Sequence, residues 1–377
     1  MKRAWRWLGS GLLFLVVALS LTAALLPRLL DARYYRGPVS DHFDGERFFN
    51  PGPSGEAQRS GAQMARFFSG VGKAEWPERV PVTPRKPVAQ VGPTDMVATW
   101  IGHATVLVQA GGVNVLTDPI FSERASPFSF AGPKRVRAPG VRLADLPRID
   151  LVVISHNHYD HLDVPTLQAL WARDRPLIVT SLGNDTILRS GGVPSLTLDW
   201  GQSQAVAPRC IALRSAAIVA NYRQVERSAE CTQAGATVTV ERNHHWSSRW
   251  GADRNRALWS SFTIQTPAGT IYHAGDTGFG DGRWFEDAAR RGPIRLAILP
   301  IGAYEPRDAM KGNHVNPAEA VRIFDALKPA MALGVHWGTF QLTFEAIDAP
   351  PRELARVRGS RRFVTTEAGE SVAVPER

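Results

Sequence analysis

The 377-residue sequence predicts an α/β or α+β layered domain that follows an N-terminal membrane-anchor helix. From residue 96 onward, short apolar runs rich in β-branched residues alternate with helical patterns, which is typical of packed sheet and helix layers. Ahead of that region, residues 8–26 lack any charged side chain. A composition with 44% hydrophobic and 21% charged residues excludes disordered and collagen-like chains.

The first 33 residues are predicted to be a membrane anchor or a signal segment. Residues 8–26 are long enough to cross the hydrocarbon core as a helix, and Lys2, Arg3 and Arg6 precede them. The small-residue cleavage site of a signal peptide is poor here, which favours an uncleaved anchor, although a cleaved signal stays open. We expect a single N-terminal helix, with the body on the outer, periplasmic side of the inner membrane.

Two further regions follow the anchor. Frequent prolines interrupt residues 34–95, so we predict an irregular segment that wraps the domain, with one amphipathic stretch near residues 58–68. Residues 96–377 form the main domain. Its predicted strands are 96–101, 105–109, 113–117, 151–155, 177–180, 236–240, 261–266, 270–274, 296–300 and 331–335. Its predicted helices are 164–173, 284–291 and 317–327, and Asn316 is a suitable N-cap for the last of them.

The most informative motif follows the apolar run at 151–154. Three histidines and one aspartate fall within six residues there, namely His156, His158, Asp160 and His161. A loop that leaves a buried strand can turn these side chains towards one point. Imidazoles and carboxylates are the usual ligands of Zn²⁺ and similar cations, so the motif predicts a metal site.

Three more candidate ligands lie where predicted strands end. His245 follows the strand at 236–240, Asp276 follows the strand at 270–274, and His336 directly follows the strand at 331–335. Loops at strand ends gather to form sites in layered domains, so these residues are candidate ligands for a second metal ion. His244 precedes His245, and spacing alone leaves open which of the two is the ligand.

With these motifs, the chain resembles the metallo-β-lactamase fold superfamily, and more narrowly its N-acyl-phosphatidylethanolamine-hydrolysing phospholipase D branch. The H-x-H-x-D-H motif is shared across the superfamily. The narrower resemblance rests on three stretches, Tyr304-Glu-Pro-Arg307, His314-Val-Asn-Pro317 and His336-Trp-Gly-Thr-Phe340. It extends from about residue 99 to residue 351, roughly two thirds of the chain.

The resemblance implies an αβ/βα sandwich that holds two zinc ions, or another divalent metal in their place. By position in the family motif, one ion would bind His156, His158 and His245. The other would bind Asp160, His161 and His336. Asp276 would bridge the two ions, and Asp160 and Asp276 are the expected catalytic carboxylates.

The same resemblance implies roles for residues around the metals. Tyr159 and His314 match positions that contact the lipid substrate. Ser248 stands where the animal enzymes have a lipid-binding basic residue, and Arg249 could substitute for it. Asp118 matches a carboxylate that lies close to the metal centre, and its alternative role is that of a turn residue before a proline.

One segment departs from the family pattern. Residues 207–232 look like an insertion, and they contain both cysteines, Cys210 and Cys231. In an oxidising compartment a disulfide between them would close the insertion, and two unrelated thiols are an equally good alternative.

The expected function is a dinuclear-metal phosphodiesterase that cleaves N-acyl-phosphatidylethanolamine, or a related phospholipid, to phosphatidic acid and an N-acylethanolamine. Phospholipid and membrane are the expected partners, and a homodimer stays open. The net charge is +9, but residues 1–33 carry +4 of it, so nucleic acid is not an expected partner. The alternatives are a metal-dependent lactonase or nuclease on the same fold, or a non-catalytic membrane-anchored metal-binding protein.

Overall fold

Two β-sheets pack face to face in this protein, for which a computed structural model describes residues 2–52, 60–206 and 235–376. The strands are, in chain order, β1 (Met96–Gly102), β2 (Thr105–Ala110), β3 (Val113–Thr117), β4 (Leu151–Ile154), β5 (Leu177–Ser181), β6 (Leu196–Leu198), β7 (Ser203–Val206), β8 (Ala236–Glu241), β9 (Ser261–Thr266), β10 (Gly269–His273), β11 (Ile294–Pro300), β12 (Met331–Val335), β13 (Phe363–Val364) and β14 (Ser371–Ala373). The helices are α1 (Lys2–Leu30), α2 (Gly61–Ser69), α3 (Val164–Asp174), α4 (Asn184–Ser190), α5 (Arg283–Ala289), α6 (Arg307–Met310), α7 (Pro317–Leu327) and α8 (Ala349–Val357).

Strand direction determines where polar loops gather. The first sheet has the order β14-β1-β2-β3-β4-β5-β6, and β3 to β6 run parallel. The second sheet has the order β13-β12-β11-β10-β9-β8-β7, and β10 to β13 run parallel. Because parallel strands share one carboxyl edge, the residues that follow β3 and β4 lie together, as do those that follow β10 and β12.

The alternation of side chains along β4 shows how the layers are built. Leu151 and Val153 point into the core between the two sheets, whereas Val152 and Ile154 point to the opposite face. On that opposite face they pack with Leu167 and Leu170 of α3, which covers the first sheet. The predicted α/β layered domain is therefore confirmed. All ten predicted strands and three predicted helices are present, and their ends shift by no more than two residues.

The N-terminal residues form α1, as predicted for a helix, but the membrane anchor is not supported. Within the described residues, no helix combines the length and the hydropathy that a membrane crossing requires. The periplasmic location of the body stays a prediction. The predicted insertion, together with Cys210 and Cys231, lies outside the described residues.

The segment between α1 and β1 wraps the domain, and the described part of it is irregular apart from α2. Asn50 of this segment contacts a candidate ligand residue, because its side-chain amide donates a hydrogen bond to the carbonyl oxygen of His245 at 2.8 Å. His42 fixes the segment by two ion-pair contacts, from Nδ1 to Asp41 at 2.6 Å and from Nε2 to Asp199 at 2.8 Å. Its ring, which is 4% exposed, stacks on Trp200 with the centroids 4.4 Å apart.

His42 should make the stability of the fold depend on pH. Burial alone would lower the pKa of His42, but the hydrogen bonds to Asp199 and Asp41 outweigh burial and raise it. A raised folded-state pKa stabilises the protein fully below the unfolded value of about 6.5, and this stabilisation is lost as pH rises through the folded-state pKa. We therefore expect His42→Gln to remove part of the decrease in unfolding free energy between mildly acidic and alkaline pH. Denaturant unfolding of both proteins across this range measures it, and identical pH profiles would contradict the assignment.

Candidate metal centre

The loop that leaves β4 carries the four residues of the H-x-H-x-D-H motif. The chain turns tightly there, since the backbone N–H groups of His161 and Leu162 both donate to the carbonyl oxygen of His158, at 3.1 and 2.9 Å. The guanidinium of Arg249 holds the turn from outside by donating to the carbonyl oxygens of Asn157 and Leu162, at 3.1 and 2.8 Å. The turn brings the motif side chains to one side of the loop.

Three imidazoles form the first group of possible ligands. His156 Nε2 lies 2.8 Å from His158 Nδ1, which lies 3.4 Å from His245 Nε2. His245 follows β8, and its Nδ1 donates to the carbonyl oxygen of Asn313 at 2.9 Å. Because that bond uses Nδ1, the lone pair of Nε2 is free to face the other two histidines.

A carboxylate and two imidazoles form the second group. Asp160 Oδ2 lies 3.4 Å from His161 Nε2 and 3.3 Å from His336 Nε2. Asp276, which follows β10, lies between the groups. Its Oδ2 is 3.2 Å from His161 Nε2, 3.1 Å from His336 Nε2 and 3.9 Å from His245 Nε2. The seven predicted ligands therefore converge in one cluster that both sheets supply.

The donor atoms of this cluster suit metal ions. Among the described residues, buried Asp276 Oδ1 and His161 Nε2 have no hydrogen-bond partner. Buried polar atoms are normally satisfied, so unpaired atoms that face a carboxylate and imidazole cluster indicate that a cation satisfies them. The seven residues fall into groups of ligand atoms close enough to share an ion. The set fits two divalent cations.

The buried histidines and carboxylates of the cluster have strongly shifted pKa values. Burial lowers the pKa of His158 and of His245 to about 3, so both rings are neutral at neutral pH, as a metal ligand must be. Burial alone would raise the pKa of Asp160 and Asp276, but the surrounding imidazoles outweigh burial and hold both well below their usual range. Burial alone would lower the pKa of His336, but these two carboxylates outweigh burial and raise it to about 9, so His336 would release a proton on binding a cation. The negative charge of Asp160 and Asp276, which stabilises the proton on His336, would also attract a divalent cation.

Asp118 supports the cluster from behind. This fully buried residue follows β3, and its Oδ2 accepts hydrogen bonds from His161 Nδ1 and His273 Nε2, both at 2.9 Å. Its two oxygens also accept from the backbone N–H and the hydroxyl of Ser155, at 2.7 and 2.8 Å. A carboxylate on Nδ1 fixes the tautomer and ring orientation of a ligating histidine, so Asp118 has the contacts expected of a supporting carboxylate.

The geometry distinguishes the two adjacent histidines. His245 lies in the cluster, whereas His244 Nδ1 donates to the carbonyl oxygen of Gly312 at 2.8 Å. In the described part of the chain, His244 belongs to none of the possible ligand groups. His245 is the ligand candidate.

His103 belongs to the cluster although the sequence reasoning did not select it. It lies in the turn between β1 and β2, is buried, and places Nε2 at 2.8 Å from Asp160 Oδ2. It has a positive φ of 53°, and its backbone N–H donates to the Thr339 hydroxyl at 2.9 Å. Its position at the end of a strand is the same signal that identified the other ligands. One histidine inside a hairpin turn was too weak a signal by itself.

A cavity of about 230 Å³ opens over the cluster. Tyr159, Ser248 and His314 line it, as expected for substrate-contacting residues, together with apolar Trp246 and Leu342. The Ser248 hydroxyl donates a hydrogen bond to the Asp253 carboxylate at 2.6 Å, so its proton is already used within its own loop.

Arg249 has a different environment from the one expected of a head-group ligand. Its guanidinium lies 3.5 Å over the centroid of the Tyr159 ring, and it is not among the described residues that line the cavity. With this contact and its hydrogen bonds to the motif loop, Arg249 positions both that loop and the Tyr159 ring that lines the cavity.

Comparison with known proteins places these features in a family. Residues 113–337 match the model described as a β-lactamase superfamily domain. The chain is 35% identical to N-acyl-phosphatidylethanolamine-hydrolyzing phospholipase D 1 of Caenorhabditis elegans, over 72% of this chain and 74% of that protein. It is 32% identical to the mitochondrial N-acyl-phosphatidylethanolamine-hydrolyzing phospholipase D of Saccharomyces cerevisiae, over 68% of this chain and half of that protein. A metallo hydrolase from Ignicoccus hospitalis has a similar fold, with a TM-score of 0.52 at 20% identity, over 75% of this chain and all of that one.

Proposed function

We propose a reaction for this chain on the premise that it belongs to the metallo-β-lactamase superfamily and, within it, to the branch of N-acyl-phosphatidylethanolamine-hydrolysing phospholipases D. It is a metal-dependent hydrolase of the metallo-β-lactamase fold. The proposed reaction is hydrolysis of the phosphodiester between phosphate and head group in N-acyl-phosphatidylethanolamine or a close relative. The products would be phosphatidic acid and an N-acylethanolamine.

The complete seven-residue cluster is the observation that carries the proposal. His156, His158 and His245 would hold one divalent ion, and Asp160, His161 and His336 the other, with Asp276 between them. Zinc is the proposed metal because imidazole and carboxylate ligands suit it. When bound, two such ions polarise a phosphoryl oxygen and lower the pKa of water towards neutrality.

The protein's own groups would orient the reacting atoms. Asp276 keeps a pKa well below the usual carboxylate range, and its Oδ1 has no hydrogen-bond partner among the described residues. It is therefore ionised at neutral pH and could orient an attacking water as a hydrogen-bond acceptor, whereas a carboxylate of such low pKa is a weak base. His314 Nδ1 lies 3.8 Å from Asp276 Oδ2 and is likewise unpaired within the described chain. From the cavity wall, its ring could hold a phosphate oxygen or the departing head-group oxygen.

The cavity walls support a lipid substrate. Tyr159, Trp246, Met310 and Leu342 give it apolar surface beside the polar cluster. N-acyl-phosphatidylethanolamine presents the same combination, because its polar phosphodiester lies between apolar acyl chains on the glycerol and on the head-group nitrogen. The resemblance to the nematode and yeast phospholipases supports the same substrate class.

Product identification tests this proposal. Purified protein is incubated with vesicles that contain N-acyl-phosphatidylethanolamine, and the lipids are identified by mass spectrometry. We expect phosphatidic acid and N-acylethanolamine in equal amounts, and no product after treatment with a chelator. A His314→Ala variant should bind metal normally and turn over lipid more slowly. Hydrolysis of acyl-homoserine lactones or of RNA, without phospholipid turnover, would overturn the proposal.

A further inference from the structure

The loop between β3 and β4 contains a rigid projection, residues 122–134. Backbone bonds close it like a hairpin, because Ala125 N–H donates to Pro133 at 3.0 Å and Arg135 N–H donates to Glu123 at 2.9 Å. Inside the projection, the Arg124 side chain donates to the carbonyl oxygens of Ser129 and Gly132, at 3.1 and 2.6 Å. The projection is therefore held in one shape by its own polar contacts.

The base of the projection is part of the active-site wall. Ala125 lines the cavity over the metal cluster and packs with Ile120 and Phe340, and Tyr159 packs against the same group. Buried Arg135 fixes the base further, since it donates to the carbonyl oxygens of Ser122 and Ile120, both at 2.9 Å. The rest of the projection, which begins next to Ala125 in the chain, therefore lies near the cavity.

The tip of the projection, residues 127–130, exposes two aromatic rings to solvent. Phe128 is 48% exposed and Phe130 is 79% exposed, and their ring centroids are 5.4 Å apart. Within the projection, basic Lys134 is exposed and basic Arg124 is half-buried, while the one acidic residue, exposed Glu123, lies at its base. Adjacent exposed aromatic rings with basic neighbours complement the apolar and anionic layers of a phospholipid surface.

We propose that this tip docks the enzyme on a lipid bilayer by inserting the Phe128 and Phe130 rings into the interfacial layer. Docking would hold the cavity mouth at the membrane surface, so that a phospholipid head group could reach the metal cluster without leaving the bilayer fully. The inference rests on the proposed phospholipase function, because docking would serve that reaction. Docking itself can be measured independently of turnover.

A kinetic comparison tests the role of the tip. The full-length Phe128→Ser/Phe130→Ser double variant should hydrolyse vesicle lipid about tenfold more slowly, because two partly buried aromatic side chains contribute at least about 1.4 kcal/mol to membrane binding. Its hydrolysis of the soluble diester bis(p-nitrophenyl) phosphate should be unchanged. The matched control Val39→Ser/Val88→Ser removes two exposed apolar side chains from the wrapping segment and should leave both rates unchanged. An equal fall in both rates of the tip variant would overturn the proposal.

A spectroscopic measurement tests docking without any turnover. 4-Cyanophenylalanine replaces Phe130 in the full chain, and its nitrile stretching frequency is recorded with and without phosphatidylcholine–phosphatidylglycerol vesicles. We expect the nitrile to change from a hydrated to an apolar environment when vesicles are added. A nitrile that stays hydrated on these vesicles, in a protein that hydrolyses N-acyl-phosphatidylethanolamine vesicles, would refute docking while preserving the proposed function. Dehydration without vesicles that increases with protein concentration would refute docking in favour of self-association.

Discussion

Replacing His245 with alanine should remove about one of two bound divalent ions per chain and lower hydrolysis by about a thousandfold or more. His245 supplies Nε2 to the group that contains His156 and His158, and it lies 3.9 Å from Asp276. A zinc ion that keeps only two of three histidine ligands would be held weakly, and the cavity would lose part of the charge that neutralises a phosphodiester. Metal content after dialysis, measured by mass spectrometry alongside lipid turnover, gives both quantities.

The adjacent residue provides a matched control. His244 is equally buried but donates Nδ1 to Gly312 outside the cluster, and glutamine can preserve a donor there. His244→Gln should therefore retain both ions and most of the activity. If it lost an ion, or if His245→Ala kept two, the choice between the two histidines would be wrong.

Replacing Asp118 with asparagine should have the second largest effect, although this residue touches no substrate. The carboxylate accepts four hydrogen bonds, from Ser155 twice, from His161 and from His273. An amide nitrogen would face donors at a buried site, which should cost about 2–4 kcal/mol of unfolding free energy. The orientation of His161 would be lost as well, so metal affinity should fall by about 10- to 100-fold. Metal titration and denaturant unfolding measure the two effects.

Asp163 distinguishes lost metal affinity from general destabilisation. It is buried at the end of the same motif loop, where α3 starts, and it also accepts four hydrogen bonds, one from Phe121, two from Ser122 and one from Thr166. Asp163→Asn should lower stability by a similar amount and leave metal affinity nearly unchanged. Equal loss of metal affinity in the two variants would show that Asp118 acts on overall stability alone.

The layered fold could be predicted because burial on both faces leaves a strong pattern in the sequence. Strands such as β4 and β12 are short, wholly buried apolar runs, and the polar residues that follow them are conspicuous by contrast. The carboxyl edge of parallel strands then predicts that Asp276 and His336, which follow β10 and β12 of one sheet, approach each other, although they are far apart in the sequence. The cluster followed from this rule together with the ligand chemistry of each residue.

Other features have no such pattern. The strand β7 (Ser203–Val206) is largely polar and exposed, and β13 is two residues long, so neither has a detectable period. The role of Arg249 depends on the direction of its side chain. An arginine next to a ligand could face either a phosphate or the backbone carbonyl oxygens of a loop, and the folded contacts decide between them. Likewise, the contact of His103 with Asp160 exists only after β1 and β4 have been assembled into one sheet.

The distribution of the ligands between both sheets has a consequence for folding. Asp160 and His336 belong to one ligand group yet are 176 positions apart in the chain. A cation bound by both would link the two sheets across a very long stretch of chain, and it could bind only after both sheets have formed. Ligand binding to the native state adds RT ln(1 + [L]/Kd) to its stability. The supply of metal in the cell would then control both how fast this enzyme works and how many of its copies are folded.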